Sequence, residues 1–188
     1  MARAPRPALP SDVIIWLNGT FGAGKTTTAR ELTGLVPSAR VFDSEHVGYL
    51  LRHVLTEPVE NFQDWPPWRS LVVHTAVETL RYVGGALVIP QTVLTEAYYR
   101  EIDAGLRAAG LDVRHFVLHA REDVLVGRIE ADRDDPGARQ WRLDHVERYR
   151  AAVPWLHAAA EVVDTTDVPA AEVARTIAHR CGLATDRA

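Results

Sequence analysis

The chain has 188 residues, 47% of them hydrophobic and 24% charged, which is close to the composition of an average soluble globular protein. This length suits one domain with a sizeable core, so global disorder is excluded. The formal net charge of −4 argues against a nucleic-acid binder driven by overall charge, and the single cysteine, Cys181, excludes an intramolecular disulfide and a multi-cysteine metal site.

The first eleven residues contain three prolines and two arginines before any periodic pattern begins. They predict a flexible leader, followed by a single domain over residues 12–182. The leader lacks the apolar stretch of a signal peptide, and no run in the chain approaches the roughly 20 apolar residues of a membrane-spanning helix. We therefore expect a cytoplasmic protein without stable membrane insertion.

From residue 12 onward, short apolar runs alternate with segments of helical spacing. Near-continuous β-branched runs, such as VIIWL and ALVI, are typical of strands that helices cover on both faces. The alternation predicts an α/β fold with a five-stranded parallel sheet sandwiched by helices, and in such sheets ligands bind at the carboxyl ends of the strands. The predicted strands are 13–17, 40–42, 86–89, 113–118 and 161–163.

A phosphate-binding loop follows the first predicted strand. The run GTFGAGKT at 19–26 has two glycines five residues apart, then lysine and threonine, which is the P-loop pattern. Glycines let backbone N–H groups point at phosphates, and the helix that begins near Gly24 adds its positive dipole end. Lys25 is predicted to hold the β- and γ-phosphates of ATP as a catalytic residue, and Thr26 to ligate Mg²⁺. The predicted nucleotide-binding residues of the loop are Gly22, Ala23, Gly24, Lys25, Thr26 and Thr27.

Two large classes of P-loop protein do not fit the rest of the sequence. Small GTPases read guanine with an Asn-Lys-x-Asp motif, which needs a second lysine, and Lys25 is the only lysine here. Ring and motor ATPases usually place Asp-Glu after an apolar strand, and none of the predicted strands ends in that pair. We therefore predict a nucleotide-kinase-like P-loop domain, which carries its own acceptor site and an arginine-bearing lid.

Two carboxylates after the second predicted strand are candidates for the general base. Asp43 ends the strand, where it would accept the proton of an acceptor hydroxyl or hold a Mg²⁺-bound water. Glu45, two residues further on, is the second candidate and is expected to contact the acceptor. The alternative for Asp43 is an ordinary cap of the helix that begins near Ser44.

Three further residues are candidate acceptor contacts. Gln91 follows the third predicted strand, where its amide would read polar groups; a loop amide satisfied within the protein is an equal alternative. Trp68, close to Trp65, would form a wall for a flat or apolar acceptor, with core packing at a helix start and a dimer contact as alternatives. Arg52 is a candidate contact for an anionic acceptor.

The segment 121–142 carries five arginines, and residues 132–137 interrupt its helical pattern. A helix–loop–helix after the fourth strand predicts a lid over about residues 128–145, in which guanidinium groups neutralise the transferring phosphoryl group and exclude water. Arg128 is predicted to be catalytic and Arg133 to contact the nucleotide, while pairing with neighbouring carboxylates is the alternative for each arginine. The other arginines of the segment are Arg121, Arg139 and Arg142.

These motifs occur together with segments that resemble one protein family. The opening IIWLNGTFGAGKTTTARELTGL, followed by VFDSEHVGYLLRHV, WPPWRSLV, LVIPQTVL and VRHFVLHA, resembles the tunicamycin-resistance proteins over about residues 12–182. The resemblance implies an ATP-binding, kinase-like fold and a link to self-protection against a nucleoside antibiotic. It also implies an ATP site at Gly22, Gly24, Lys25 and Thr26, with Asp43 and Gln91 facing the acceptor.

Three functional hypotheses follow. The leading one is a Mg²⁺–ATP-dependent kinase that phosphorylates a hydroxyl of a nucleoside-like or sugar-containing antibiotic. The second is a non-catalytic protein that sequesters the antibiotic with ATP bound, and the third is a nucleoside or nucleotide kinase of metabolism. The expected partners are a small-molecule acceptor and a second copy of the chain in a homodimer, and no nucleic acid is expected.

Overall fold

The computed structural model describes residues 12–133 and 136–185. The predicted leader at 1–11 lies outside the described residues, as do residues 134 and 135 of the predicted lid. In the described part of the chain, five parallel strands form one sheet in the order β2-β3-β1-β4-β5, which confirms the predicted fold. Every strand boundary lies within one residue of its predicted position. The strands are β1 (Val13–Asn18), β2 (Ala39–Val41), β3 (Ala86–Pro90), β4 (Asp112–His119) and β5 (Glu161–Asp164).

Helices connect the strands and cover both faces of the sheet. A 3₁₀ turn, Phe62–Asp64, precedes α3, and a second one, Pro136–Ala138, precedes α6. No helix in the described residues combines the length and the apolar character needed to span a bilayer. The helices are α1 (Lys25–Leu35), α2 (Glu45–Arg52), α3 (Pro66–Val83), α4 (Glu96–Ala108), α5 (Glu122–Ala131), α6 (Arg139–Ala159) and α7 (Ala170–Arg180).

The side chains of β1 alternate between two hydrophobic cores, because successive residues of a strand point to opposite faces of the sheet. Ile14 and Trp16 belong to the core shared with α2, α3 and α4. Ile15 and Leu17 belong to the core shared with α1, α6 and α7. All four are fully buried, so β1 is apolar up to its last residue and brings the loop that follows it to the middle of the sheet edge.

Trp68 lies in the core and not in the acceptor site, which corrects the prediction that it forms a wall for the acceptor. Its side chain is 0% exposed, its ring lies 5.1 Å from that of Phe62, and its indole N–H donates to the Ser44 carbonyl over 3.2 Å. Trp65 is also buried, so neither tryptophan offers a dimer contact. Two prolines begin α3, because proline suits the first turn of a helix.

Candidate active site

A cleft of about 830 Å³ opens at the edge of the sheet where the strands end. Its floor is the P-loop after β1, and residues 90–92 at the end of β3 form the adjoining part. Helix α2 and residues 60–63 form one wall, while α5, α6 and the loop between β5 and α7 form the other. The cleft therefore joins a phosphate site to a second compartment along α2.

The start of α1 is suited to bind phosphate. Gly24 immediately precedes the helix with φ of 90°, a left-handed conformation that glycine adopts without strain. No side chain caps this helix and its first turn contains no acidic residue, so side chains do not occupy its first N–H groups. Such N–H groups and the positive end of the helix dipole are the features that bind phosphate at helix N-termini. The P-loop geometry thus fits the nucleotide phosphates predicted from the sequence.

Asn18 anchors the P-loop, although no sequence motif identified it as a functional residue. Its buried amide oxygen accepts the N–H groups of Gly19 over 2.9 Å and Val93 over 3.0 Å, and its amide nitrogen donates to the Val93 carbonyl over 2.9 Å. The Thr92 hydroxyl adds a 2.7 Å hydrogen bond to the Gly19 carbonyl. These contacts tie the loop to the segment after β3. A polar residue at the end of an otherwise apolar strand is the signal that could have revealed this role.

Lys25 lies half-buried at the floor of the cleft. Its Nζ donates to the Thr20 carbonyl over 2.8 Å and lies 5.5 Å from the centre of the Phe21 ring. Burial lowers the pKa of Lys25 to about 8, and the nearby Glu45 carboxylate acts in the opposite direction. The Lys25 ammonium is therefore poorly compensated, and the negative charge of a phosphate would restore the charged form.

This lowered pKa predicts proton uptake when nucleotide binds above about pH 8. There the free protein holds Lys25 largely neutral, whereas bound phosphates favour the ammonium, so ATP affinity should fall by up to about tenfold per pH unit. The phosphates themselves are already fully ionised, since the second pKa of a phosphate monoester is about 6. Calorimetry at pH 8.5 in buffers of different ionisation enthalpy measures the uptake. Lys25→Ala should abolish it, and equal uptake in that variant would contradict the assignment.

Arg128, predicted to be catalytic, reaches the cleft wall and joins three segments there. One guanidinium nitrogen donates to the Gly22 carbonyl over 3.1 Å. The other donates to the carbonyls of Thr165 over 2.7 Å and Thr166 over 3.1 Å. These bonds attach α5 to the P-loop and to the loop between β5 and α7. The catalytic role of Arg128 stays a prediction, and these contacts give it a structural role in addition.

We expect Arg128→Gln to lower the free energy of unfolding by about 1–3 kcal/mol, since the shorter side chain cannot reach the three carbonyls. Urea denaturation monitored by circular dichroism measures the change. Arg121→Gln is the matched control, because Arg121 makes its ion pairs with Asp123 and Asp167 at the exposed surface, where such pairs contribute little. Equal stability of the two variants would show that the three bonds of Arg128 contribute nothing measurable.

The other arginines of the predicted lid mostly pair with carboxylates. Arg139 contacts Glu130 over 2.7 Å and Arg142 contacts Asp132 over 2.6 Å. Arg142 also lines the cleft. Arg133 is exposed beside the gap in the described residues, and its predicted nucleotide contact stays a prediction.

An aromatic cluster joins α6 to the P-loop. The Phe21 ring lies 4.9 Å from that of Trp141 and 5.4 Å from that of His145. The Thr20 hydroxyl donates to the His145 carbonyl over 3.2 Å. Trp141 is 43% exposed and lines the cleft. Sequence reasoning missed these residues, since the weakly amphipathic α6 gives no sign of which face meets the loop.

Glu45, rather than Asp43, points into the cleft. Glu45 lines it together with Tyr49 and Arg52. Asp43 is exposed, and its carboxylate accepts the Glu45 N–H over 3.0 Å, which is the capping alternative considered for it. The other carboxylate oxygen of Asp43 lies 3.9 Å from Nε2 of His46. Of the two candidate bases, the geometry thus brings Glu45 together with Lys25, and the role of Asp43 as base stays a prediction without a contact in the cleft.

Gln91 lines the cleft but is only 5% exposed. Its amide oxygen accepts the Ser44 hydroxyl over 2.7 Å, and its nitrogen donates to the Thr92 carbonyl over 3.2 Å. The first of these bonds links the end of β3 to the start of α2. Gln91 therefore holds the wall along α2 in place, and direct contact between its amide and an acceptor stays a prediction.

Comparison with known proteins places this cleft in context. Over residues 14–156 the chain matches a family model described as AAA domain. It is similar to the tunicamycin resistance protein of Deinococcus radiodurans, with 30% identity, coverage of 94% of this chain and 99% of that one, and a TM-score of 0.72. A sugar kinase from Janibacter shares 16% identity, with coverages of 93% and 96% and a TM-score of 0.64. No match was found among curated protein sequences.

An APS kinase from Mycobacterium tuberculosis, solved in complex with AMPPNP and APS, is 16% identical, with coverages of 91% and 98% and a TM-score of 0.59. At such identities the two kinases establish a shared fold alone. Together with the parallel sheet and the intact P-loop, they identify a kinase-like P-loop domain. The predicted fold class is thereby confirmed.

Proposed function

The chain belongs to the family of the tunicamycin resistance protein, among P-loop proteins that match the AAA-domain model, and we propose that it is an ATP-dependent kinase of a small molecule. The observation that carries the proposal is the meeting of Lys25 and Glu45 in one cleft. The Lys25 ammonium would hold the phosphates, and the Glu45 carboxylate would accept the proton of the acceptor. Transfer of a phosphoryl group to a hydroxyl requires both charges.

The proposed reaction moves one phosphoryl group. Glu45 takes the proton of the acceptor hydroxyl, and the hydroxyl oxygen forms a bond to the γ-phosphorus of ATP. The bond from that phosphorus to the β–γ bridging oxygen breaks, and ADP leaves with the electron pair. Lys25 and the N–H groups at the start of α1 hold the phosphates, so charge that builds on the leaving oxygen is stabilised.

Mg²⁺ fits the same site. Thr26 lines the cleft in the first turn of α1 with its side chain accessible, and a hydroxyl oxygen is a ligand type that Mg²⁺ accepts alongside phosphate oxygens. When bound, the ion would neutralise charge on the phosphates. The protein itself orients the phosphates through Lys25 and the loop.

The proposed acceptor is a nucleoside-like or sugar-containing antibiotic, because the Deinococcus relative is a tunicamycin resistance protein. Tunicamycin is therefore the first compound to test. The wall along α2 offers Glu45, Tyr49 and Arg52 to such an acceptor. This mixture of a carboxylate, a phenol and a guanidinium group can bind a molecule with several polar groups.

The test is mass spectrometry of a compound panel after incubation with protein and Mg²⁺–ATP. The panel contains tunicamycin and other nucleoside antibiotics, aminoglycosides, phenicols and common nucleosides, with Lys25→Ala as the blank. We expect one antibiotic to gain a single phosphoryl group with wild-type protein alone. Phosphorylation of ordinary nucleosides only would identify a kinase of metabolism. Tight, ATP-dependent binding with no mass change would support sequestration and contradict the kinase.

A further inference from the structure

Helix α2 presents three polar side chains to the cleft in one stripe. Glu45, Tyr49 and Arg52 all line the cleft, and their spacing of four and three residues puts them on one face of the helix. Tyr49 is 46% exposed, so it lies at the solvent side of the stripe. The opposite face, with Val47 and Leu51, is buried in the core.

Packing fixes the orientation of α2. A Cβ atom at Gly48 would lie 2.7 Å from Cγ of Phe62, so the helix rests directly on this ring. Ser44, just before the helix, is held by Trp68 through its carbonyl and by Gln91 through its hydroxyl. The backbone of Glu45 therefore has little freedom, and its carboxylate depends on the torsions of a long side chain, which lose substantial entropy when they are fixed.

One contact restricts those torsions. The Tyr49 hydroxyl donates to Oε2 of Glu45 over 3.1 Å and, in the described part of the chain, is the only hydrogen-bond donor to that carboxylate. The other carboxylate oxygen remains available for an acceptor hydroxyl. The aromatic ring is itself held in an edge-to-face contact with His46, with ring centres 6.0 Å apart.

We infer that Tyr49 is a positioning residue, whose hydroxyl fixes the Glu45 carboxylate in the orientation needed for proton abstraction. The inference rests on the proposed kinase function and deepens it. The hydroxyl carries out no chemistry of its own: it satisfies one oxygen of the base and thereby directs the other. A side chain with three free torsions would otherwise reach the productive geometry only part of the time.

The charges around Tyr49 keep its proton in place. The Glu45 carboxylate raises the pKa of Tyr49, burial and the Asp43 carboxylate act in the same direction, and Arg52 opposes them. The phenol therefore remains a hydrogen-bond donor at every pH at which the enzyme would work.

A double-mutant cycle tests the inference. ADP release from Mg²⁺–ATP is measured for wild type, Tyr49→Phe, Glu45→Gln and the double variant, with the acceptor from the screen and with water alone. We expect Tyr49→Phe to lower kcat about 10- to 150-fold, the range for one hydrogen bond to a charged group, with KM for ATP unchanged. In the Glu45→Gln background it should have no further effect.

The matched control is Tyr82→Phe, the same change on the exposed surface of α3, which should leave kcat unchanged. The inference is overturned if Tyr49→Phe keeps wild-type kcat, or if its effect multiplies with that of Glu45→Gln. Because water serves as acceptor in one arm, the cycle can be read even if no organic acceptor is phosphorylated. Failure of the proposed function is then distinct from failure of this inference.

A second readout does not depend on turnover. The chain has five tyrosines, and isotope-edited NMR of their Cζ carbons, with the Tyr49 signal assigned by Tyr49→Phe, follows the titration of Tyr49. We expect Glu45→Gln to lower the pKa of Tyr49, because the Glu45 carboxylate is the main cause of its rise. An unchanged Tyr49 titration would mean that the two side chains do not interact in solution, and would also overturn the inference.

Discussion

Replacement of Lys25 by methionine should reduce phosphoryl transfer by about 10³-fold. Lys25 is the cation at the floor of the cleft, and in the proposed reaction charge grows on the β–γ bridging oxygen as the transferring group departs. Methionine preserves the length of the side chain but supplies no charge there. Transfer is measured as product formed per protein under saturating acceptor, after nucleotide binding has been quantified separately.

The Lys25→Met protein should fold at least as well as wild type. Burial lowers the pKa of Lys25 to about 8, so the folded state disfavours the ammonium, and an apolar side chain removes that penalty. Arg30→Gln is the matched control, because it removes an exposed cation from the same helix and should retain wild-type turnover. A Lys25→Met enzyme with more than a tenth of wild-type activity would remove this residue from the mechanism.

Glu45→Gln should lower kcat by about 10²- to 10⁴-fold while ATP binding is preserved, because the variant loses the proposed general base but keeps the shape of the side chain. Asp43→Asn should stay close to wild type. Asparagine caps helices as well as aspartate does, so the hydrogen bond to the Glu45 N–H can persist without the charge. Both variants are compared by single-turnover transfer with ATP held saturating.

The contrast between these two variants separates the two candidate bases. The reverse pattern, an inactive Asp43→Asn and an active Glu45→Gln, would return the role of base to Asp43. Equal losses would indicate that both carboxylates serve the reaction, one at the proton and one at the metal. Thermal melting of each protein is the control for folding.

The architecture was predictable from sequence because each of its determinants is local. Short apolar runs that alternate with helical patterns predicted all five strands, and the spacing of GTFGAGKT identified the loop, since only a glycine-rich turn before a helix satisfies both steric and electrostatic demands. Strand order was not predictable in this way. It depends on which strands pair at long range, and neither composition nor periodicity encodes that pairing.

The acceptor half of the site shows where such reasoning fails. Asp43 and Glu45 are two residues apart, and the helix boundary between them decides which carboxylate turns inward. The sequence pattern predicts Trp68 in the acceptor site, although it begins the buried row Trp68, Val72, Ala76 and Leu80 on α3. That spacing of four residues was available as a signal of core packing. The contacts of Trp141 with the P-loop depend on tertiary packing, and no comparable pattern in the sequence indicates them.

The environment of Lys25 has a practical consequence for chemical labelling. Of the 21 basic side chains, Lys25 is the only lysine, so an acylating reagent that attacks neutral amines meets one lysine in the whole chain besides the α-amino group. With its pKa at about 8, this amine is a far better nucleophile near neutrality than an ordinary lysine. Bound nucleotide should shield it. The mass of a single modified peptide can therefore report occupancy of the phosphate site in unmutated protein.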